Sequence, residues 1–163
     1  MLSKKYYSGL SLVEVLIAVM LVGFAIASLL VANGAFTKAN GAGTDQSTAE
    51  FLIEQIRELT TLLPVVDPQT ELATFGPESG ETLTTYDDLD DFDGASYSPP
   101  INAERTALNQ FSAFRQNVTV ENVSASNFEQ VAADHSTNFV RVTVRVYLNS
   151  NQISSAVWLR ARY

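Results

Sequence analysis

Apolar residues are spread unevenly along this chain, and their spacing divides it into three stretches. Between Leu10 and Ala32 they are nearly continuous (LSLVEVLIAVMLVGFAIASLLVA), with Glu14 as the single charge. The uncharged part, Val15 to Ala32, predicts a helix that is apolar on every side, at the lower edge of the ~20 residues that span a bilayer. From Thr44 to Leu63 the pattern becomes one-sided. Leu52, Ile56, Leu59 and Leu63 recur at i, i+4, i+7 and i+11, while Glu50, Glu54 and Glu58 with nearby Arg57 fall on other faces. Asn33-Gly34 and Gly41-Ala42-Gly43 form a soft stretch between the two, since each glycine costs ~1 kcal/mol in a helix relative to alanine. Pro64 is the expected stop. A continuous helix from Leu10 to Leu63 would extend about 80 Å, at 1.5 Å per residue.

Beyond Pro64 the helical period disappears. Pro68, Gly76, Pro77, Gly80, Gly94, Pro99 and Pro100 predict a long irregular segment. Strand alternation follows, briefly at 117–121 and cleanly from Phe139 to Leu148, where Val140, Val142, Val144, Val146 and Leu148 share one face. Asn149-Ser150-Asn151 reads as a turn and Ile153–Arg162 as a returning strand. The predicted fold is therefore α+β: one long N-terminal helix whose amphipathic half packs on a small C-terminal antiparallel sheet. The corresponding divisions are 1–9 as a leader, 10–34 as an apolar helix, 35–63 as its amphipathic continuation, and 64–163 as a head with an acidic loop at 86–94 and a hairpin at 139–162.

Lys4 and Lys5 precede the apolar block and no Lys or Arg follows until Lys38, which predicts a cytoplasmic N-terminus. A secretory signal cut near Ala25-Ile26-Ala27 fits poorly, because such apolar cores run ~7–15 residues. A plain anchor leaves Glu14 unexplained, as a carboxylate costs ~2.5–3.5 kcal/mol at mid-bilayer and less toward the edge. No basic residue lies one helical turn away, so a charged partner has to come from another chain or from a newly cut amino terminus.

The segment Ser8-Gly9-Leu10-Ser11-Leu12-Val13-Glu14-Val15-Leu16-Ile17-Ala18 resembles the class III signal of type IV pilins and type II secretion pseudopilins. That resemblance covers about residues 1–35. It implies cleavage by prepilin peptidase after Gly9, N-methylation of Leu10 as the new terminus, and Glu14 at the fifth mature position as an assembly contact to a neighbouring subunit. It also implies other pilin or pseudopilin subunits and an inner-membrane assembly platform as partners. The protein would sit in the bacterial inner membrane first and in a periplasmic or extracellular filament after assembly. Many major pilins carry proline in this helix and the block here has none, which points to a minor pilin or a pseudopilin. A membrane-anchored periplasmic binding or enzymatic domain is the alternative from another class. Ser11, Gly23 and Ser28 read as close-packing positions within the helix.

The 163 residues carry 18 acidic and 10 basic side chains, for a formal charge of −8 and a pI near 4.5. That balance argues against nucleic acid as a partner. With no cysteine and one histidine, disulfides, thiolate metal sites and multi-histidine sites are excluded, and no enzymatic activity is expected. His135 reads as a surface residue in a polar turn, and Trp158 as partly buried packing. The remaining chemistry lies in Tyr86-Asp87-Asp88-Leu89-Asp90-Asp91-Phe92-Asp93-Gly94. Asp87, Asp88, Asp90, Asp91 and Asp93 read either as a solvated acidic turn or as oxygen ligands for Ca²⁺, although Leu89 breaks the EF-hand pattern. Similar acidic stretches occur in minor pilin-like proteins of mannose-sensitive haemagglutinin pili, and some pseudopilins hold a loop with calcium. Arg141, Arg145, Arg160 and Arg162 read either as an exposed sheet face or as a small basic patch for a contact between subunits.

Overall fold

The computed structural model describes residues 9–67 and 74–162, so most of the leader, with Lys4 and Lys5, lies outside the described residues, as does Pro68. Helix α1 runs Leu12–Thr60, and the strands are β1 (Ser96–Tyr97), β2 (Phe114–Ser124), β3 (Asn127–Val131), β4 (Phe139–Leu148) and β5 (Asn151–Ala161). The architecture is the α+β arrangement expected, one long helix packed on a five-stranded antiparallel sheet. The chain divides into two compact units, residues 1–43 and 44–163.

The first unit is helical from Leu12 onward and every described residue in it is exposed, including Leu12, Leu16, Val19, Phe24 and Leu30. An 18-residue window of α1 has a mean hydropathy of 2.9 and none of it is buried, so this helix is long and apolar enough to cross a membrane. The soft stretch expected at Gly34 and Gly41–Gly43 does not interrupt it. Glycine lowers helix stability without removing a backbone donor, so the i to i−4 ladder continues through it.

In the second unit, Ala49, Leu52, Ile53 and Ile56 are the buried face of α1, a wider stripe than its heptad-like spacing alone suggested. They pack with Val118 and Val120 of β2 and with Val140, Val142, Val144 and Val146 of β4 in one core, against which Leu59, Leu63 and Trp158 are partly buried. The helix ends at Thr60, before Pro64, with the Thr60 hydroxyl donating to the Ile56 carbonyl at 2.9 Å.

The main sheet runs β1-β2-β4-β5, and β3 pairs with the far end of β2. Strands β4 and β5 form the expected hairpin. Its turn is tighter than the sequence suggested, with only Asn149 (φ 49°) and Ser150 (φ 81°) left between the strands. Both are left-handed, the geometry of a primed turn that follows the twist of the strands. Val146 faces Ser154 and Tyr147 faces Gln152, so Ile153 is an extra residue that bulges β5 near its start.

Strand β2 is longer than the short alternation at 117–121, and it places a polar residue inward. Gln116 is fully buried. Its Oε1 accepts from the Ile101 N–H at 2.8 Å, and its Nε2 donates to the carbonyls of Leu52 (2.8 Å) and Ile101 (3.1 Å). One amide thereby ties helix, loop and sheet.

The four arginines do not form one patch. Arg160 lies opposite Val140, on the core side of β5, and donates to the carbonyls of Thr60 (2.8 Å) and Leu63 (2.9 Å) at the end of α1. Guanidinium is well suited there, because its fork reaches two carbonyls and its charge complements the helix C-terminus. Arg141 lies on the outer face, paired with Glu121 at 2.8 Å beside a groove of about 580 Å³ that Phe128, Arg145 and Val157 also line.

Candidate functional site

Two groups of residues carry the candidate chemistry. The first is the start of α1. Ser11 N–H and Oγ donate to Glu14 Oε2 at 2.8 and 3.0 Å, and Glu14 N–H donates back to Ser11 Oγ at 3.2 Å. This is a reciprocal capping box, Ser-x-x-Glu, which satisfies backbone donors that the first helical turn leaves unpaired. Glu14 therefore has an uncharged partner, Ser11, within its own chain. Gly9 and Leu10 precede the cap in exposed, non-helical backbone, and Leu10 is 80% exposed. The candidate cleavage junction is thus uncovered and sits directly before the first helical turn.

The second group is the acidic loop, which is not a solvated turn. Asp88, Asp90 and Asp91 are 2%, 1% and 1% exposed, and Leu89 and Phe92 between them are fully buried. The apolar pair pulls the loop inward, and Tyr86 stacks edge-on against Phe92 at 5.2 Å. Short backbone bonds hold the carboxylates. Asp91 Oδ2 accepts from the N–H groups of Asp87 (2.9 Å) and Asp88 (3.2 Å), and Asp88 Oδ1 accepts from Asp91 N–H at 3.1 Å. Asp90 Oδ2 accepts from Gly76 N–H at 3.3 Å. Asp93 is engaged elsewhere, accepting from Val120 N–H of β2 at 2.8 Å and so tying the loop to the sheet.

Of the five aspartates, Asp87, Asp88 and Asp91 come together, with one carboxylate oxygen from each within 4.8 Å of the others. Glu78, Glu81 and Asp91 meet the same criterion, and the two glutamates are site residues the sequence reading did not find. Gly76 (φ 91°) and Gly80 (φ 100°) turn this neighbouring segment in left-handed backbone, which brings the glutamates back over the loop.

Burial pushes the Asp88 carboxyl up to about 8, helped by neighbouring Asp90, and burial likewise pushes Asp91 up to about 7. Asp90 and Glu78 are raised as well, desolvation being the largest cause for each. Water has been taken from these groups without an equal gain from positive charge.

His135 is not the surface residue expected. Its side chain is 15% exposed and its ring packs on Phe75 at 5.4 Å. Its Nε2 lies 3.2 Å from the Thr74 carbonyl and 4.0 Å from Asp90 Oδ2. Trp158 is partly buried, with the Arg57 guanidinium 4.9 Å from its ring centroid.

No protein-family model, curated protein or solved structure matches this chain. The folded class is an α+β head carried on a helix long and apolar enough to cross a membrane.

Proposed function

We propose that this chain is a structural subunit, a minor pilin, of a type IV pilus-like filament. Prepilin peptidase cuts it between Gly9 and Leu10, Leu10 is methylated, and the apolar part of α1 holds the subunit in the inner membrane until it is assembled with other pilin subunits. The carrying observation is the start of α1: an exposed Gly9-Leu10 junction, a Ser11/Glu14 cap, and an apolar helix with no buried residue before Ala49. A helix apolar all round and uncovered requires lipid or other helices around it. Cleavage leaves Ser11 and Glu14 in place, so the cap survives maturation and keeps the carboxylate beside the new amino terminus. There it is placed to pair with the Leu10 amine of its own chain or of a neighbour.

Intact-mass measurement of the protein from its native membrane tests the reading. A mass beginning at Leu10, with one added methyl, is expected. A mass that retains Met1–Gly9, or one truncated near Ala27, overturns it. The proline-free helix also suits a type II secretion pseudopilin, and the neighbouring genes, for pilus assembly or for a secretion channel, distinguish the two filaments.

A further inference from the structure

The outer face of the sheet and the open edge of β5 form a surface that neither the filament reading nor the acidic loop uses. We propose that it binds an extended peptide segment of another protein, which adds antiparallel to β5 as a further strand and sets two apolar side chains beside Leu159 and Val157 and a carboxylate against Arg145.

The edge supplies the backbone half of the site. Strand β5 ends the main sheet and, among the described residues, pairs only with β4. No backbone group of Asn151–Ala161 bonds to any other part of the chain among those residues. Such an edge is a template for another strand, and proteins commonly blunt it with a bulge, an inward charge or proline. Here the blunting is confined to the two ends, where Ile153 bulges and Arg160 turns its charge to the core side. Ser154–Leu159 between them contain neither charge nor proline. An extended peptide can pair along that length by main-chain hydrogen bonds, with alternate side chains giving the specificity.

The groove of about 580 Å³ supplies the side-chain half. Val157 and Leu159 lie on the outer face of β5, opposite Thr143 and Arg141, and both are exposed. Phe128 of β3, also exposed, stands on the other side of the groove. These apolar surfaces are adjacent to the open edge, so every second residue of an added strand would cover them.

Charge fixes where the peptide's carboxylate goes. Three arginines lie on this face. Arg115 stacks on Tyr147 at 5.1 Å, and Arg141 bonds Glu121 and the carbonyls of Phe128 (3.1 Å) and Glu129 (3.2 Å). Arg145 lines the groove and, among the described residues, makes no hydrogen bond, ion pair or ring contact. Its opposite residue on β5 is Ser155, whose small side chain leaves a path across the strand. An added strand lies ~10 Å from β4, two strand spacings, which an arginine and a glutamate reaching from both sides can span. Glu129 lines the groove at the Arg141 end, so a carboxylate is favoured at Arg145 and disfavoured beside Leu159.

The test uses a labelled, end-capped synthetic peptide, Thr-Val-Thr-Val-Thr-Glu-Thr, titrated with the full chain in detergent micelles and followed by fluorescence anisotropy, with empty micelles as blank. Saturable binding is expected, at least tenfold weaker in Arg145→Gln. In Arg145→Glu it should be lost and regained when lysine replaces the peptide's glutamate. Arg145 bonds to nothing in the fold, so the variants should keep the parent's melting temperature. Two further peptides, N-methylated at the Val and Glu residues or at the Thr residues, test the edge without altering the protein. Successive N–H groups of a strand point to opposite sides, so one methylated peptide should bind like the parent and the other at least tenfold more weakly. Equal binding of both overturns the added strand, and unchanged affinity in Arg145→Gln overturns the charge contact. No binding by any peptide overturns the proposal as a whole; a dimer found by sedimentation under the same conditions would then assign the edge to a second copy of this chain.

Discussion

Replacing Gln116 by leucine removes three hydrogen bonds from a position with no access to water. The Ile101 N–H loses its acceptor, which costs ~1–3 kcal/mol for a buried donor left unpaired. The bonds from Nε2 to the Leu52 and Ile101 carbonyls contribute ~0.5–1.5 kcal/mol each. The Leu52 carbonyl lies within α1 and keeps its helical partner, so its share falls at the lower end. Burying leucine instead of an amide returns on the order of 1–2 kcal/mol. The net loss should be about 2–3 kcal/mol, or a fall of roughly 10 °C in melting temperature for a head of this size. Trp158 fluorescence during thermal unfolding of the full-length protein in micelles reports on the head, where this tryptophan packs against the core. A leucine variant that melts within about 2 °C of the parent would show that these bonds have no net effect and refute the reasoning. Gln116→Glu sharpens the test. It retains an acceptor for Ile101 N–H but directs a carboxylate at two carbonyls, so it should be less stable at pH 7 than leucine and should recover as the pH falls and the carboxyl protonates.

Three further outcomes are expected. Arg160→Ala should destabilise the head by ~2–3 kcal/mol, since two charge-assisted bonds to the helix end disappear, and Arg160→Lys should restore less than half because ammonium cannot fork; chemical denaturation of the three proteins measures both. Under the filament reading, Glu14→Gln should prevent incorporation into filaments while Ser11→Ala, which keeps the carboxylate, is incorporated, as judged by comparing membrane-held and sheared fractions; equal failure of both would assign Glu14 to helix capping alone. Ser150→Gly should raise stability by up to ~1 kcal/mol, because φ 81° strains a residue with a Cβ, and an unchanged melting point would contradict that strain.

The elements with strong periodicity were legible in the sequence. Helix α1, its Leu52/Ile56 stripe and the β4–β5 hairpin follow from apolar spacing, because burial on one face writes a period of 3.6 or 2 into the chain. The exceptions are polar residues in apolar slots. Gln116 sits between Phe114 and Val118 in an alternation that points inward, a signal that was available but weak, because its partners are backbone groups distant in sequence. Arg160 falls at an inward position of β5 for the same reason. Within the candidate sites, the Ser11/Glu14 box was fully local and could have been read from spacing alone. The burial of Asp88, Asp90 and Asp91 could not, since five carboxylates in a turn-rich segment look solvated until Leu89 and Phe92 are seen to draw them under. Glu78 and Glu81 belong to a different turn, and only the fold brings them to Asp91.

The grip of Arg160 on the end of α1 has a consequence for timing. Thr60 and Arg160 are separated by 100 positions in the sequence. At ~5–20 residues per second, the helix end waits about 5–20 s after synthesis before the residue that secures it exists. Strand β4 waits as well, because its partner β5 follows it in the chain. Until then the head lacks both β5 and its latch, and the valine-rich strand β4 has only one of its two neighbours. The nascent head therefore closes only after Arg160 and the rest of β5 have been made. Removing residues 160–163 should leave a polypeptide that is synthesised normally and fails at that final step.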